Sequence, residues 1–427
     1  MVAYARANSP FYREMYSGVP ESPKLYELPV LDKHRFTDRF EDIATDDRVT
    51  AAGARQFVED DSRAGQLFLD KYGLWATSGS TGVAALSLHD AVAREIYRSF
   101  RWTREKPLTA PAALRLLGKG MRVAVPINTS AHQAGSSSVL LAKGSFPRLT
   151  RGIRLFSLTA PVEQLVEDLN RFDPGALAGY PSIIETLAEE AIAGRLKIRP
   201  VAVICSAEVL TPEARSVIES AFNAPVFDEY NATEFAPIAL RRPCGWMHVN
   251  ADWVIVEPVE ADHSPTPAGR PSHGLLLTNL ANRIQPLIRF ELGDQVTVRP
   301  DPCPCGSPLP AIRVDGRTSD RVQFQDPQGE MVILLGMNLY TIFLDVPGVA
   351  AGQALQTGDD ELEIRLRYRP GFNPVDAGEQ VLGMVRRLLA GNKLANVALT
   401  LSEEPPARDP RSEKYRVLWD ARPGPGG

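Results

Sequence analysis

The sequence has little cysteine, little histidine and no long apolar run. The chain has six histidines, and its four cysteines in 427 residues are too few for a disulfide framework. No apolar stretch approaches the roughly 18 residues that span a bilayer. The opening residues Met1-Val2-Ala3-Tyr4-Ala5-Arg6 lack the apolar core of a secretory signal. The expectation is a soluble, cytoplasmic protein with no membrane partner. Positive charge is not in excess either: 47 basic against 52 acidic residues leave a formal net charge of −5. A general nucleic-acid binder needs a basic face, so no nucleic-acid partner is expected. No internal repeat is found, and no loop ends in the Gly-Lys-Ser/Thr of a Walker motif.

What is there is an ordinary globular composition, 44% hydrophobic and 23% charged, in a chain long enough for two or three domains. The stretch Thr77-Ser78-Gly79-Ser80-Thr81-Gly82 packs hydroxyls around glycines. Glycine lets the backbone turn tightly and approach a ligand, and hydroxyls with exposed N–H groups suit anionic oxygens. Lys71 to Trp75 reads as a strand entering this loop and Val83 to Leu88 as one leaving it. The loop therefore tops a hairpin. On these residues alone it is either a phosphate loop or a plain Ser/Gly surface turn.

Residues 1 to about 70 read as mostly helical, with Ser9-Pro10 breaking the opening helix. From 75 to about 240, short apolar strands alternate with amphipathic helices. Met121 to Pro126, Ala176 to Tyr180 and Val201 to Cys205 read as strands. Pro161 to Phe172 carries Val162, Leu165, Val166 and Leu169 at helical spacing; Ser182 to Ala193 and a segment opening at Thr211-Pro212 also read as helices. The alternation predicts an α/β fold with partly parallel sheets. From 247 to 315 the texture shifts to strands and turns, at Trp253 to Glu257, Gly274 to Thr278 and Leu287 to Phe290. The last hundred residues have their own pattern, with strands at Val332 to Leu335 and Leu362 to Tyr368 and a helix at Ala377 to Leu389. A boundary near 318–321 follows. It separates a large N-terminal domain over 1–318, β-rich from about 240 to 315, from a small α+β C-terminal domain over 319–427.

Four further stretches carry chemistry. Asp228-Glu229-Tyr230-Asn231-Ala232-Thr233-Glu234-Phe235 follows a short strand at Pro225 to Phe227. It sets an aromatic ring, a hydroxyl and a carboxylate at a strand end, where ligands bind in open α/β sheets. Ser206-Ala207-Glu208 lies past the strand ending at Cys205, Asp294 follows a strand and a tight Gly293 turn, and Lys414-Tyr415-Arg416 sits near the C-terminus. Separately, Cys244 and His248 with Cys303 and Cys305 offer three thiolates and an imidazole. That is the ligand set of a closed structural zinc site; two unrelated turns are the alternative. Cys205 reads as core, and the other histidines, His34, His89, His132, His263 and His273, as surface or internally satisfied residues.

Taken in order, these motifs resemble those of the adenylate-forming (ANL) enzymes: acyl-CoA synthetases, peptide-synthetase adenylation domains and luciferases. The branch they resemble most is that of the phenylacetate–CoA ligases and coenzyme F390 synthetases, including capsule-biosynthesis relatives. The match runs from Tyr4-Ala5-Arg6-Ala7-Asn8-Ser9-Pro10-Phe11-Tyr12 to Lys414. The resemblance implies a large adenylate-forming domain of layered sheets and helices with a small, mobile C-terminal lid. It implies that Thr77, Ser78, Gly79, Ser80, Thr81 and Gly82 hold the β- and γ-phosphates of ATP. Ala207 and Glu208 would line the adenine, with Tyr230 stacked on it. Thr233 would contact the α-phosphate, Glu234 the Mg²⁺, Asp294 the ribose hydroxyls, and Arg317 would reach the nucleotide. Tyr180 and Asn231 fall in the acyl pocket, and Ser319 and Asp320 at the hinge. Lys414 would bridge the attacking carboxylate and the α-phosphate.

The implied activity is ATP- and Mg²⁺-dependent activation of a small aromatic carboxylate as an acyl-adenylate, followed by transfer to the thiol of CoA or of a carrier protein. The alternatives are an amine acceptor giving an amide, activation of nitrite for diazotisation, and a nucleotide-binding homologue without catalysis. Relatives are often dimers, which leaves a homodimer open. The sequence also departs from the pattern. Val83 and Ala84 stand where Lys and Pro are common, Asn231 where Gly is usual, Leu335 where Arg often precedes Gly336, and Glu413 where Gly precedes the catalytic Lys. The resemblance places the Gly that Asn231 replaces against the acyl pocket, so an amide at Asn231 would narrow the pocket and make it more polar. These changes bear more on transfer to CoA than on adenylation.

Overall fold

A computed structural model of the chain describes residues 1–76, 85–104, 108–127, 132–158, 161–317, 321–407 and 415–422. The chain divides into two compact units: Met1–Leu292 with Thr297–Val314, and Gly293–Val296 with Asp315–Gly427.

The first unit is built on a nine-stranded sheet. Its parallel half runs, in spatial order, Val226–Ala232, Ala202–Ser206, Ala176–Gly179, Val123–Ile127 and Ile153–Ser157. Val123–Ile127, Ala176–Gly179 and Ala202–Ser206 read as largely apolar runs, as strands of a parallel sheet covered on both faces do. Leu177, Val203 and Cys205 are fully buried, and Cys205 is core as expected. The helix Val162–Phe172 sets Leu165, Val166 and Leu169 against this core and ends at Asp173 in the left-handed conformation. The helix Pro212–Phe222 starts on Thr211, whose hydroxyl accepts from the Ala214 amide, and ends at a left-handed Asn223. The other half of the sheet is antiparallel where Phe235–Arg241 pairs with Val226–Ala232, and Met247–Val249 with Phe235–Arg241 and Ala311–Arg317. A three-stranded antiparallel sheet joins Val254–Val259, Gly274–Asn279 and Leu287–Glu291. The expected hairpin is present as Gly73–Ala76 paired with Leu86–His89. At the N-terminus the helix break is real: Ser9 caps a second helix, Pro10–Met15, with Pro at its first position.

The second unit carries a hairpin of Arg321–Gln325 and Met331–Leu335, a helix Gly336–Asp345, and a four-stranded sheet. That sheet is ordered Ala398–Leu401, Glu361–Tyr368, Val349–Gly358 and Leu418–Asp420. The helix Pro374–Gly391 lays Ala377, Val381, Val385 and Leu389 into a core with Val322, Phe324 and Ile364. The layered α/β class read from the sequence is the class observed. No helix among the described residues is long and apolar enough to cross a membrane.

Candidate active site

The strand register builds the site. Gly179 lies opposite Cys205, Cys205 opposite Asp228, and Ser206 opposite Glu229. Three neighbouring parallel strands therefore end along one edge, where open α/β sheets bind ligands. Tyr180 to Ser182 and Ala207-Glu208 follow the ends of two of them, beside Tyr230 to Ala232 at the end of the third and Thr233-Glu234 just past it. Tyr180, Tyr230 and Glu234 are buried there. A Glu208 carboxylate oxygen accepts from the Ser182 amide at 3.1 Å, tying two of the three loops together. Ala207 holds φ at 68°, a left-handed conformation that a residue with a Cβ adopts at a cost of about 1–2 kcal/mol.

The sequence reading of a short strand ending at Phe227 needs correction. The strand continues to Ala232, and Thr233 and Glu234 are the turn of a hairpin that returns along Phe235–Arg241. The pairing register shifts between Tyr230 and Ala232, so Asn231 sits at a bulge, a device that re-aims a side chain. Asp228 belongs to the sheet interior and not to the ligand edge. It is buried, with Arg241 Nε at 2.6 Å and Arg215 at 4.0 Å. Burial pushes its carboxyl above the ordinary value and the arginines pull it back. Arg241→Met is expected to cost about 3 kcal/mol in urea unfolding, because it strands a buried carboxylate.

Behind the turn lies a polar network that the sequence reading missed. His89 Nε2 meets the Thr233 carbonyl at 3.0 Å and its Nδ1 meets the Tyr97 hydroxyl at 3.3 Å. The Asn279 amide donates to Tyr97 Oη at 2.8 Å and to the Glu234 carbonyl at 3.0 Å. In the chain, the strands Gly73–Ala76 and Leu86–His89 flank the hydroxyl-glycine stretch on either side. One of its stem strands thus anchors the Thr233-Glu234 turn. His89 also stacks on Trp75, ring centroids 4.1 Å apart. Its imidazole is fully buried and its pKa falls to about 3. A folded-state pKa below the unfolded value of about 6.5 gives stability that is complete above pH 6.5 and is lost as pH falls towards 3. Between pH 6.5 and 5 the unfolding free energy is therefore expected to fall with a His89 contribution approaching about 1.4 kcal/mol per pH unit. Comparing urea melts of the natural protein with His89→Gln checks this; the variant should lose that part of the slope.

The remaining residues fall as follows. Asp294 is buried and opens the strand Asp294–Val298 after a left-handed Gly293; Arg317 closes the strand Ala311–Arg317. Both belong to the second unit. Thr77, Ser78, Gly79, Ser80, Thr81, Gly82, the hinge residues Ser319 and Asp320, and Lys414 lie outside the described residues.

Cys244, His248, Cys303 and Cys305 come together, their ligand atoms all within 4.8 Å of one another. His248 Nε2 is 3.5 Å from Cys244 Sγ and 3.4 Å from Cys305 Sγ. Tetrahedral zinc with its usual bond lengths needs edges of about 3.5–3.8 Å; the two His–Cys separations are close to that, and three thiols with an imidazole are the donor types zinc takes. Two left-handed glycines, Gly245 and Gly306, shape the turns that bring the thiols in. His248 Nδ1 faces the Leu309 carbonyl at 3.2 Å, which turns Nε2 towards the cluster.

No family model matches the chain. Protein CapK of Staphylococcus aureus is 27% identical over 207 residues, 47% of this chain and 43% of that protein. A fumarate–(S)-2,3-diaminopropanoate ligase of Enterobacter agglomerans is 27% identical over 149 residues, 34% of this chain and 37% of that protein. Each match thus spans less than half of the curated relative. Among solved structures, the 2-hydroxyisobutyryl-CoA ligase in its postadenylation state with R3-HIB-AMP superposes with a TM-score of 0.63. It is 20% identical, over 98% of this chain and 87% of that one.

Proposed function

We propose that this chain, which has the fold of the adenylate-forming ligases, joins a small carboxylic acid to AMP from ATP and passes the acyl group to an acceptor. The observation that carries the reading is the edge where Tyr180, Ala207-Glu208 and Tyr230 to Glu234 meet, with a stem strand of the Thr77–Gly82 loop hydrogen-bonded to Thr233. In this reading the loop binds the β- and γ-phosphates. Ala207, Glu208 and Tyr230 hold the adenine, Asp294 the ribose, and Arg317 the nucleotide; Tyr180 and Asn231 line the acyl pocket. The acid's oxygen displaces pyrophosphate at the α-phosphorus, and no covalent bond to the protein forms, so the protein acts by positioning and by charge. Lys414 and Thr233 offset the charge that gathers on the α-phosphate. Glu234 would hold Mg²⁺, which supplies further neutralisation of the phosphates.

The acid is taken to be aromatic, and the acceptor to be the thiol of CoA or of a carrier protein. An amine is the second acceptor considered, with nitrite as a further acid. Pyrophosphate release is to be followed with aryl acids, aliphatic acids and nitrite, each alone, with CoA, and with an aromatic amine. Acid-dependent release that rises with CoA supports the thiol acceptor, and release that rises only with the amine replaces it. The Cys₃His cluster is proposed as a structural zinc site: its four ligands leave no open position for substrate.

A further inference from the structure

We propose that Asn279, Tyr97 and His89 are positioning residues that aim the Glu234 side chain by holding the peptide groups on both sides of it. The inference rests on the adenylation reading for what Glu234 does, and it adds the residues that set its geometry. The three come from the strand Gly274–Asn279, the helix Ala91–Thr103 and the strand Leu86–His89. Asn279 and His89 are fully buried and Tyr97 nearly so. Both ends of the network fix the direction of its bonds. The Ala281 and Asn282 amides donate to Asn279 Oδ1 at 2.9 and 3.1 Å, so Nδ2 is the other end of that side chain. Its two protons go to Tyr97 Oη and to the Glu234 carbonyl. At the far end the Thr233 carbonyl only accepts, so His89 Nε2 carries the proton between them. In the neutral ring Nδ1 is then an acceptor, and it takes the Tyr97 hydroxyl proton.

The relay thus ends on two successive carbonyls, those of Thr233 and Glu234. Their peptide planes flank the Glu234 Cα. Holding both planes fixes φ and ψ at Glu234, and with them the direction in which its side chain leaves the backbone. The Tyr97 ring also packs edge-on against Phe235, centroids 4.8 Å apart, which pins the next residue. A network that served stability alone could end on any backbone group; this one ends on the two that set Glu234. A charge that stabilises a transition state must be in place before the reaction begins, because one that has to reorient loses part of its effect.

The test compares Tyr97→Phe and Asn279→Asp with the natural full chain. Asn279→Asp keeps the shape and the two bonds that Oδ1 accepts, and removes the donors. Arg241→Met, destabilised in the same hairpin but away from its turn, is the control. ¹⁵N NMR of histidine-labelled protein near neutral pH, with His89→Gln to assign the signal, should show a neutral His89 with its proton on Nε2. Hydrogen exchange at the Ala232 to Phe235 amides should quicken about tenfold in Tyr97→Phe and Asn279→Asp, and not in the control. In the same two variants kcat for acid-dependent pyrophosphate release should fall about tenfold or more, with KM for the acid within about threefold. A His89 proton on Nδ1, turn exchange that neither variant changes, or a kcat loss that the control shares overturns the inference. Unchanged kcat in both variants of an active protein overturns it and leaves the adenylation reading standing. The expected tautomer and turn exchange in a natural chain that releases no pyrophosphate with any acid support the inference and overturn the adenylation reading instead.

Discussion

Lys414→Ala is expected to lower acid-dependent pyrophosphate release by about 10²–10³-fold, the usual cost of removing one positioned charge or donor from a transition state. The proposed chemistry demands such a group. A carboxylate attacks a phosphorus already surrounded by anionic oxygens, and negative charge collects on the α-phosphate as the new bond forms. A lysine serves as a compact point charge between the two reacting anions. ATP binding should stay within about threefold, because the proposed phosphate loop and adenine contacts are untouched. The two readouts separate the competing classes. An enzyme loses turnover and keeps ATP; a nucleotide-binding protein has no turnover to lose. Parallel loss of ATP binding and of thermal stability would instead make Lys414 a structural residue.

The natural protein is expected to hold about one zinc per chain, and Cys303→Ser to hold none. Structural zinc sites in small peptides supply about 10 kcal/mol or more of apparent folding free energy. Here strand pairing already holds His248 between Phe235–Arg241 and Ala311–Arg317, so less depends on the metal. A fall in Tm of about 5 °C or more is still expected, in the variant and after chelation alike. Metal analysis of the purified protein and thermal melts check this. A protein free of zinc, with a melt indifferent to Cys303→Ser, would return the four residues to two neighbouring turns.

The parts of this molecule that the sequence revealed are those whose signal is local. The helix Val162–Phe172 was legible from one apolar face, and the helix Pro212–Phe222 from Thr211-Pro212 at its start. The Cys/His cluster was legible because so few residue types ligate zinc, although His248 and Cys303 are far apart in the chain. What was missed depends on distant partners. The strand Val349–Gly358 is rich in Ala, Gly and Gln, poor strand formers, and exists because Glu361–Tyr368 and Leu418–Asp420 pair with its two sides. His89 meets Thr233 and Tyr97 meets Asn279 across separations no periodicity encodes. The strand Val226–Ala232 was cut short at Phe227 because Asp228 and Glu229 read as the polar end of a strand. In the fold Asp228 is an interior acid held by Arg241, and Glu229 pairs with Asn231.

The most direct test of the central claim is ATP–[³²P]pyrophosphate exchange with the full chain and Mg²⁺, run with and without each candidate acid and with no acceptor present. The account predicts exchange that requires one class of acid, with AMP as the nucleotide product. Cleavage of ATP to ADP and phosphate, or bound ATP with no exchange across aryl and aliphatic acids, would contradict it.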